Sequence, residues 1–413
     1  MNRSGIHIER LDELVADVID CPHSTPNWTP DGKRVVRNFN LKDGNLDFSD
    51  GYFVDESTYL ERVRRALPEP YDIIISREAP IGTVGIVPPG LECCLGQRLV
   101  LLKTNPERCS AKYLVFALMS EYAKTQFRRA NATGSIASNL TIPALRDIKV
   151  PIVENCESVG ELLWSINSAI QLNSKIIETT QAMMSTIYNY WFVQFDFPDD
   201  RGRPYRTSGG KMVWNETLNR EIPYGWTAIQ LQDILRKNSR TLINKSSQPT
   251  IDLSVMPSRS IGLSTLNSSD EFSSNLFGMH EGDILFGGIR PYLKKAGIAP
   301  CNGAVAGTVR SFSVRRPEDY NFAMCTFASD SMFDFAMRVS TGTRMPTVSS
   351  DALLSRWVPY DERTVAKFGM LNLKDTVISS VKEILQLKNL RDWLLQGFMS
   401  GQAKLSELPE TTS

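Results

Sequence analysis

The sequence predicts an α+β fold: two repeated globular units, each a small curled mixed sheet plus helices, separated by a pair of long antiparallel coiled-coil helices. Three observations carry this expectation. A short apolar strand opening on an aspartate occurs twice, and the same small matches follow each copy in the same order. Each half then closes on a long stretch with helical spacing. The chain, at 413 residues, is too long for one ordinary compact domain and comfortable for two.

The repeat is read element by element. Asp72-Ile73-Ile74-Ile75-Ser76 leads into a glycine-punctuated run to Gly85, and Asp283-Ile284-Leu285-Phe286-Gly287 leads through Ile289-Arg290-Pro291-Tyr292 to Gly297. Thr133-Gly134-Ser135 matches Thr341-Gly342-Thr343, Ala144-Leu145 matches Ala352-Leu353, and Val150-Pro151 matches Val358-Pro359, all at an offset of 208. Ile8, Asp12 and Leu14 match Ile229, Asp233 and Leu235 at an offset of 221. The drift in offset implies loop insertions between matched elements.

Residues 157–193 carry a stripe through Val159, Leu163, Ile166, Ile170, Ile177, Met184 and Ile187, with no proline. This spacing predicts one helix of roughly 55 Å, a rod that a unit of this size cannot bury by itself. Residues 363–398 repeat the pattern less cleanly and supply the expected partner. Asn173 and Thr180 fall on the seam, where a polar residue either fixes register or marks a kink. Strands are expected at 35–40, 71–76, 83–87 and 97–103, an amphipathic helix at 111–129, and the same strand-then-helix order at 308–339. Residues 198–226, rich in Pro, Gly and charge, read as a surface connector. The expected boundaries are a first unit at 1–153, a long helix at 154–197, a linker at 198–222, a second unit at 223–360, a second long helix at 361–400 and a flexible tail at 401–413.

Composition narrows the function. Lys plus Arg and Asp plus Glu both number 46, which excludes a uniformly basic coat but not a basic patch. No apolar run is long enough for a membrane span, and the opening MNRSGIHIERLDEL has no signal-like segment, so a cytoplasmic protein is expected. Seven irregularly spaced cysteines and three histidines form no metal-ligand array, so no bound metal is expected. There is no phosphate-binding GxxxxGK[ST], no G-x-G-x-x-G after a strand, no G-x-S-x-G and no H-E-x-x-H. An adenine methyltransferase needs a cofactor loop and an Asn/Asp-Pro-Pro-aromatic site, whereas Pro88-Pro89 sits between Val87 and Gly90. No catalytic residue is assigned.

Charge is unevenly placed. Residues 62–146 hold twelve Lys/Arg against six Asp/Glu, and 283–360 hold nine against six. Two basic heads suit a polyanion such as duplex DNA. Side chains able to pair with base edges near loops are Arg37, Asn38, Arg77, Gln97, Arg98 and Asn131 in the first unit. Arg290, Tyr292, Lys294, Lys295 and Arg344 are their counterparts in the second. Thr133 and Ser76 offer short-range hydrogen bonds. Asn38 and Asn131 are equally turn-capping types; Arg77 and Arg290, at matched places past the paired strands, point to function.

These segments resemble the DNA-specificity subunit family of type I restriction-modification systems. The likeness lies in YDIIISREAPIGTVGIV (71–87), TGSIASNLTIPALRDIKVPIV (133–153), the helix ending YWFVQFDFP (190–198), GDILFGGIRPYLKKAGIAP (282–300) and the TGT…VP segment (341–359). It covers nearly the whole chain, in two target-recognition domains and two spacer helices. The resemblance implies a noncatalytic subunit for a bipartite double-stranded DNA site, host defence by modification and restriction, and two adenine-N6 methyltransferase partners. It also implies restriction/translocase subunits, with S-adenosylmethionine, ATP and Mg on the partners and no cofactor bound directly. Partner contacts are expected on the long helices, with Trp191, Phe192, Phe195, Phe197, Trp393 and Phe398 as anchors or, equally, as core. The second copy departs from the first: Gly287-Gly288-Ile289 replaces Ser76-Arg77-Glu78, and WLLQGFMSG replaces the aromatic ending. The alternatives are a stand-alone DNA adenine methyltransferase or endonuclease, and an architectural coiled-coil scaffold that binds protein.

Overall fold

The computed structural model describes residues 6–48, 51–78, 80–132, 140–238 and 247–405, with Asn131 and Ala132 by backbone alone. Contacts divide the chain into two compact units, Met1–Ser168 with Leu387–Ser413, and Ala169–Gln386.

In the first unit the central strand Ile73–Ser76 is wholly buried. It lies between Leu99–Thr104 and Val84–Ile86, with Val15–Asp20 outermost, in one antiparallel sheet. Three isoleucines in a row fit a strand covered on both faces. A smaller sheet pairs Lys33–Val36 in parallel with Cys93–Leu95 and antiparallel with Phe53–Val54. Val36, Ile74, Cys93, Leu95, Leu99 and Leu101 form the core between them. The second unit repeats the order: Leu235–Lys237, Val309–Val314, Ile284–Gly287, Ala296–Ile298 in one sheet, and Pro249–Ile251 parallel to Gly303–Ala306 in the other.

The copies also share single hydrogen bonds. Leu140 N–H donates to Arg77 O at 3.0 Å and Val348 N–H to Gly288 O at 2.9 Å. Arg77 N–H donates to Arg98 O, and Gly288 N–H to Thr308 O, both at 2.8 Å. Thr141 and Ser349 cap the short helices that follow, accepting from Ala144 and Ala352 N–H. In the opening segments the structural offset is 220, not the 221 read from sequence. Leu11 and Leu231 donate to the carbonyls of Ile148 and Arg356, and Glu13 and Asp233 fill matching caps.

One part of the expected fold is corrected. No sheet among the described residues is curled or closed. Each has a linear strand order with two open edges, and strands of two to six residues give too little length for a sheet to coil around itself. The two long helices are present, and the division into units runs through both. The central helix Cys156–Tyr188 and the C-terminal helix Leu373–Ser400 each give one part to each unit. In the first unit Gly160 lies so close to the helix Ala111–Met119 that an added Cβ would sit 2.7 Å from Tyr113 N. In the second, Ile177 and Val381 both reach Gly262.

The second rod is also interrupted. A helix Glu362–Gly369 ends before the long one begins. Buried Asn321 donates from Nδ2 to the carbonyls of Phe368 (2.8 Å) and Leu371 (2.9 Å), satisfying the groups freed at the break. The central helix instead continues into a π-helical turn, Asn189–Val193. Of the expected tail, residues 406–413 lie outside the described residues.

Candidate nucleic-acid interface

In the second unit the backbone gathers two exposed loops. The strand Ile284–Gly287 runs into a turn, Pro291–Leu293, flanked by Arg290 and Lys294 at φ of 51° and 52°. Side chains rarely adopt this left-handed conformation, and such strain clusters at functional sites. The turn is tied to the loop 341–348 by Arg290 N–H to Pro346 O at 2.7 Å and by a bridge between Ile289 and Thr347. Arg290, Tyr292 and Arg344 therefore share one exposed loop pair. Among the described residues neither guanidinium has a hydrogen-bond or ion-pair partner. Lys294 is neutralised by Asp330 at 2.6 Å, and Lys295 donates to Leu253 O at 2.6 Å. Arg310, half-buried behind the loops, donates to the carbonyls of Val348 and Gly307, and desolvation lowers its pKa.

The first unit is organised differently. Arg77 is buried: Nη1 donates to both oxygens of Asp20 at 2.7 Å, and Nε donates to Leu140 O at 2.8 Å. Its role in this geometry is to join the outer strand to the segment entering at Leu140. Ser76 is likewise inward, donating to Pro80 O. Arg98, at φ 66°, pairs with Glu78 at 3.0 Å, and Gln97 donates to His23 O and Thr25 Oγ1. Asn38 is half-buried in the turn Asn38–Asn40. Thr133 and the side chain of Asn131 lie outside the described residues. Arg37 sits in an aromatic cluster: its guanidinium carbon lies over the rings of Tyr52 (4.6 Å), Phe39 (5.1 Å) and Trp28 (5.4 Å), while Arg34 on the preceding strand lies over two rings, Phe48 (5.1 Å) and Phe53 (5.6 Å).

Of the aromatic anchors, Phe192 and Phe195 are core. Phe192 packs against Tyr188, Trp226, Phe322 and Phe368, and Phe195 against Trp226. Phe197 stacks on Tyr205 and Trp226, and half-buried Trp191 lies against Phe192 and Phe368. Phe398 is buried, whereas Trp393 is 62% exposed. Sequence reasoning did not single out Asn167 and Arg391, a buried polar pair of the first unit. Arg391 Nη1 donates to Asn167 Oδ1 at 3.0 Å, and Asn167 Nδ2 donates to Asp43 O. The heptad-like stripe was the signal available, since a polar residue one turn before Ile170 falls on the same seam. Arg62, a basic candidate by composition, is buried and donates to the carbonyls of Leu95, Ser24 and Pro22.

Burial pushes the Cys93 and Cys94 thiols up to about 12 and about 11, which keeps them protonated. Among the described residues no group of three or more His, Cys, Asp or Glu side chains could hold a metal, and no helix is long and apolar enough to cross a membrane.

The duplicated α+β architecture resembles that of a solved restriction-modification specificity subunit. The crystal structure of the type I restriction-modification system S subunit from M. genitalium matches 96% of this chain and 97% of that one with a TM-score of 0.57; at 16% identity the likeness is one of fold. The sequence is 21% identical over 357 residues to the type I restriction enzyme MjaIX specificity subunit of Methanocaldococcus jannaschii, covering 81% of this chain and 78% of the relative. A putative type I restriction enzyme MjaX specificity subunit of the same organism is 29% identical over 120 residues, 29% of this chain and 27% of that protein. No family model matches. The chain is homologous to the specificity subunits of type I restriction-modification systems.

Proposed function

We propose that this chain is the noncatalytic, sequence-specific DNA-recognition subunit of a type I restriction-modification complex. Each unit reads one half of a bipartite duplex site, with 1–153 and 223–360 as the target-recognition domains. The observation that carries this reading is the similarity to a specificity subunit along four-fifths of the chain, joined to a duplicated unit whose second copy exposes two unpaired arginines on one loop pair. Arg290, Tyr292 and Arg344 contact the second half-site. In the first, Arg37, Asn38, Gln97 and Arg98 are the described candidates that are not buried. The partners are two adenine-N6 methyltransferase (modification) subunits and restriction/translocase subunits. S-adenosylmethionine, ATP and Mg belong to those partners, and Trp393 is an exposed anchor toward them.

The test is to reconstitute the chain with its modification subunit and S-adenosylmethionine and to sequence the methylated adenines. A motif of two specified half-sites around an unspecified gap is expected. Methylation without such a motif, or methylation by the purified chain alone, refutes the reading.

A further inference from the structure

We infer that Arg37 reads a guanine in the half-site of the first unit and that the rings of Trp28, Phe39 and Tyr52 hold it in its reading pose. The inference rests on the proposed function and adds to it a residue, a base and a means of positioning. Of the thirteen arginines described in this unit, seven have an oxygen acceptor within the protein, Arg10, Arg62, Arg77, Arg98, Arg128, Arg146 and Arg391, and most of the rest are plain surface side chains. Arg37 has none among the described residues, although it is only half exposed and is held by three aromatic rings. Rings that lie against the guanidinium leave its N–H donors unmet. That edge matches the O6 and N7 acceptors of guanine in the major groove. The rings are themselves 36–40% exposed, so the cluster faces solvent rather than closing the core.

The backbone fixes this arrangement. Val35 N–H donates to Tyr52 O at 2.9 Å, and Thr29 N–H to Phe53 O at 3.0 Å, which ties both ring-bearing segments to the strand ending before Arg37. Arg37 N–H donates to Asn40 Oδ1, and Asn40 N–H returns to Arg37 O, both at 2.9 Å. A phosphate contact needs only charge, whereas rings that fix the plane of the guanidinium favour a bidentate partner. The corresponding strand of the second unit, Pro249–Ile251, is followed by Asp252-Leu253, so this device belongs to one half-site only.

The experiment uses the full chain with its modification subunit, comparing wild type, Arg37→Lys, Arg37→Ala and Trp28→Leu by methylated-motif sequencing and by binding to the wild-type motif and to random duplex. Arg37→Lys keeps the charge and removes the fork. It is expected to lose about 10- to 100-fold on the motif, to lose less than about twofold on random duplex and to relax one G·C position in one half-site only. Trp28→Leu gives a smaller loss at the same position, and Trp28→Phe restores it. An Arg37→Lys motif identical to wild type, equal losses on motif and random duplex, or relaxation at an A·T position overturns the inference and leaves the functional reading standing. A wild-type complex that marks no bipartite motif removes that reading instead, and the inference with it.

Discussion

Replacing Arg77 with methionine separates a structural arginine from a reading one. The substitution keeps most of the apolar stem but strands the Asp20 carboxylate and the Leu140 carbonyl. Removing one partner of a buried ion pair costs about 3–5 kcal/mol. The Asp20 side chain keeps 25% of its exposure, so water recovers part of that cost, while the lost bond to Leu140 O adds about 1 kcal/mol. A loss of about 3 kcal/mol in the first unit is therefore expected. A chain of two units does not define a single unfolding free energy. The suitable assay is native-state hydrogen exchange of Ile73–Ser76, whose amides lie in the most buried strand of that unit. Asp20→Asn in the Arg77→Met background should recover at least about 1 kcal/mol, because the stranded charge is gone. Exchange within about 0.5 kcal/mol of wild type, together with lost discrimination between DNA sites, would show that Arg77 reads bases and that the structural assignment is mistaken.

Three further outcomes are expected. Burial raises the pKa of Asp283, so the folded chain holds this proton more tightly than the unfolded one; its contribution to stability is present in acid and is lost as pH rises from the ordinary carboxylate range through the raised value. Asp283→Asn should flatten that decline in a pH series of melting temperatures, and an unchanged slope would count against it. Gly160→Ala should destabilise the first unit by about 1–3 kcal/mol despite alanine's better helix propensity, because the new methyl meets Tyr113 backbone, as native-state hydrogen exchange of Ala111–Met119 would show. Phe192→Ala should cost about 3–5 kcal/mol of stability in the second unit, whereas Trp393→Ala should leave the melting temperature unchanged and weaken co-purification with the modification subunit.

The duplication was legible because each copy keeps the same residue types where backbone bonds must close, as at Thr141 and Ser349. The central helix was legible because its stripe runs without a proline. What escaped the sequence depends on distant approach. The break before Leu373 exists because Gly369 packs against the Glu318 carbonyl, where a Cβ would sit 2.4 Å away, and Asn321 collects the freed carbonyls. Phe192 and Phe195 could be anchors or core by sequence, and Phe322, Phe368 and Trp226 decide for core. The curled sheet was an expectation that short strands could not fulfil. Arg37 was one of several candidate readers in the sequence, where Arg77 and Arg290 were favoured; the rings around it come from segments spread between residues 28 and 52, and no periodicity joins them.

The split of the two long helices bears on how this protein is made. The first unit is assembled from both ends of the sequence: Tyr113 Oη meets the sulfur of Met399 at 3.5 Å, and Asn167 meets Arg391. On a ribosome, domains usually complete in order of synthesis. Here the segment after residue 168 can gather Ala169–Gln386 into a finished unit while the earlier one still waits for residues 387–400. The half made first is the half finished last, and a nascent chain stalled before residue 387 leaves it without its closing helix.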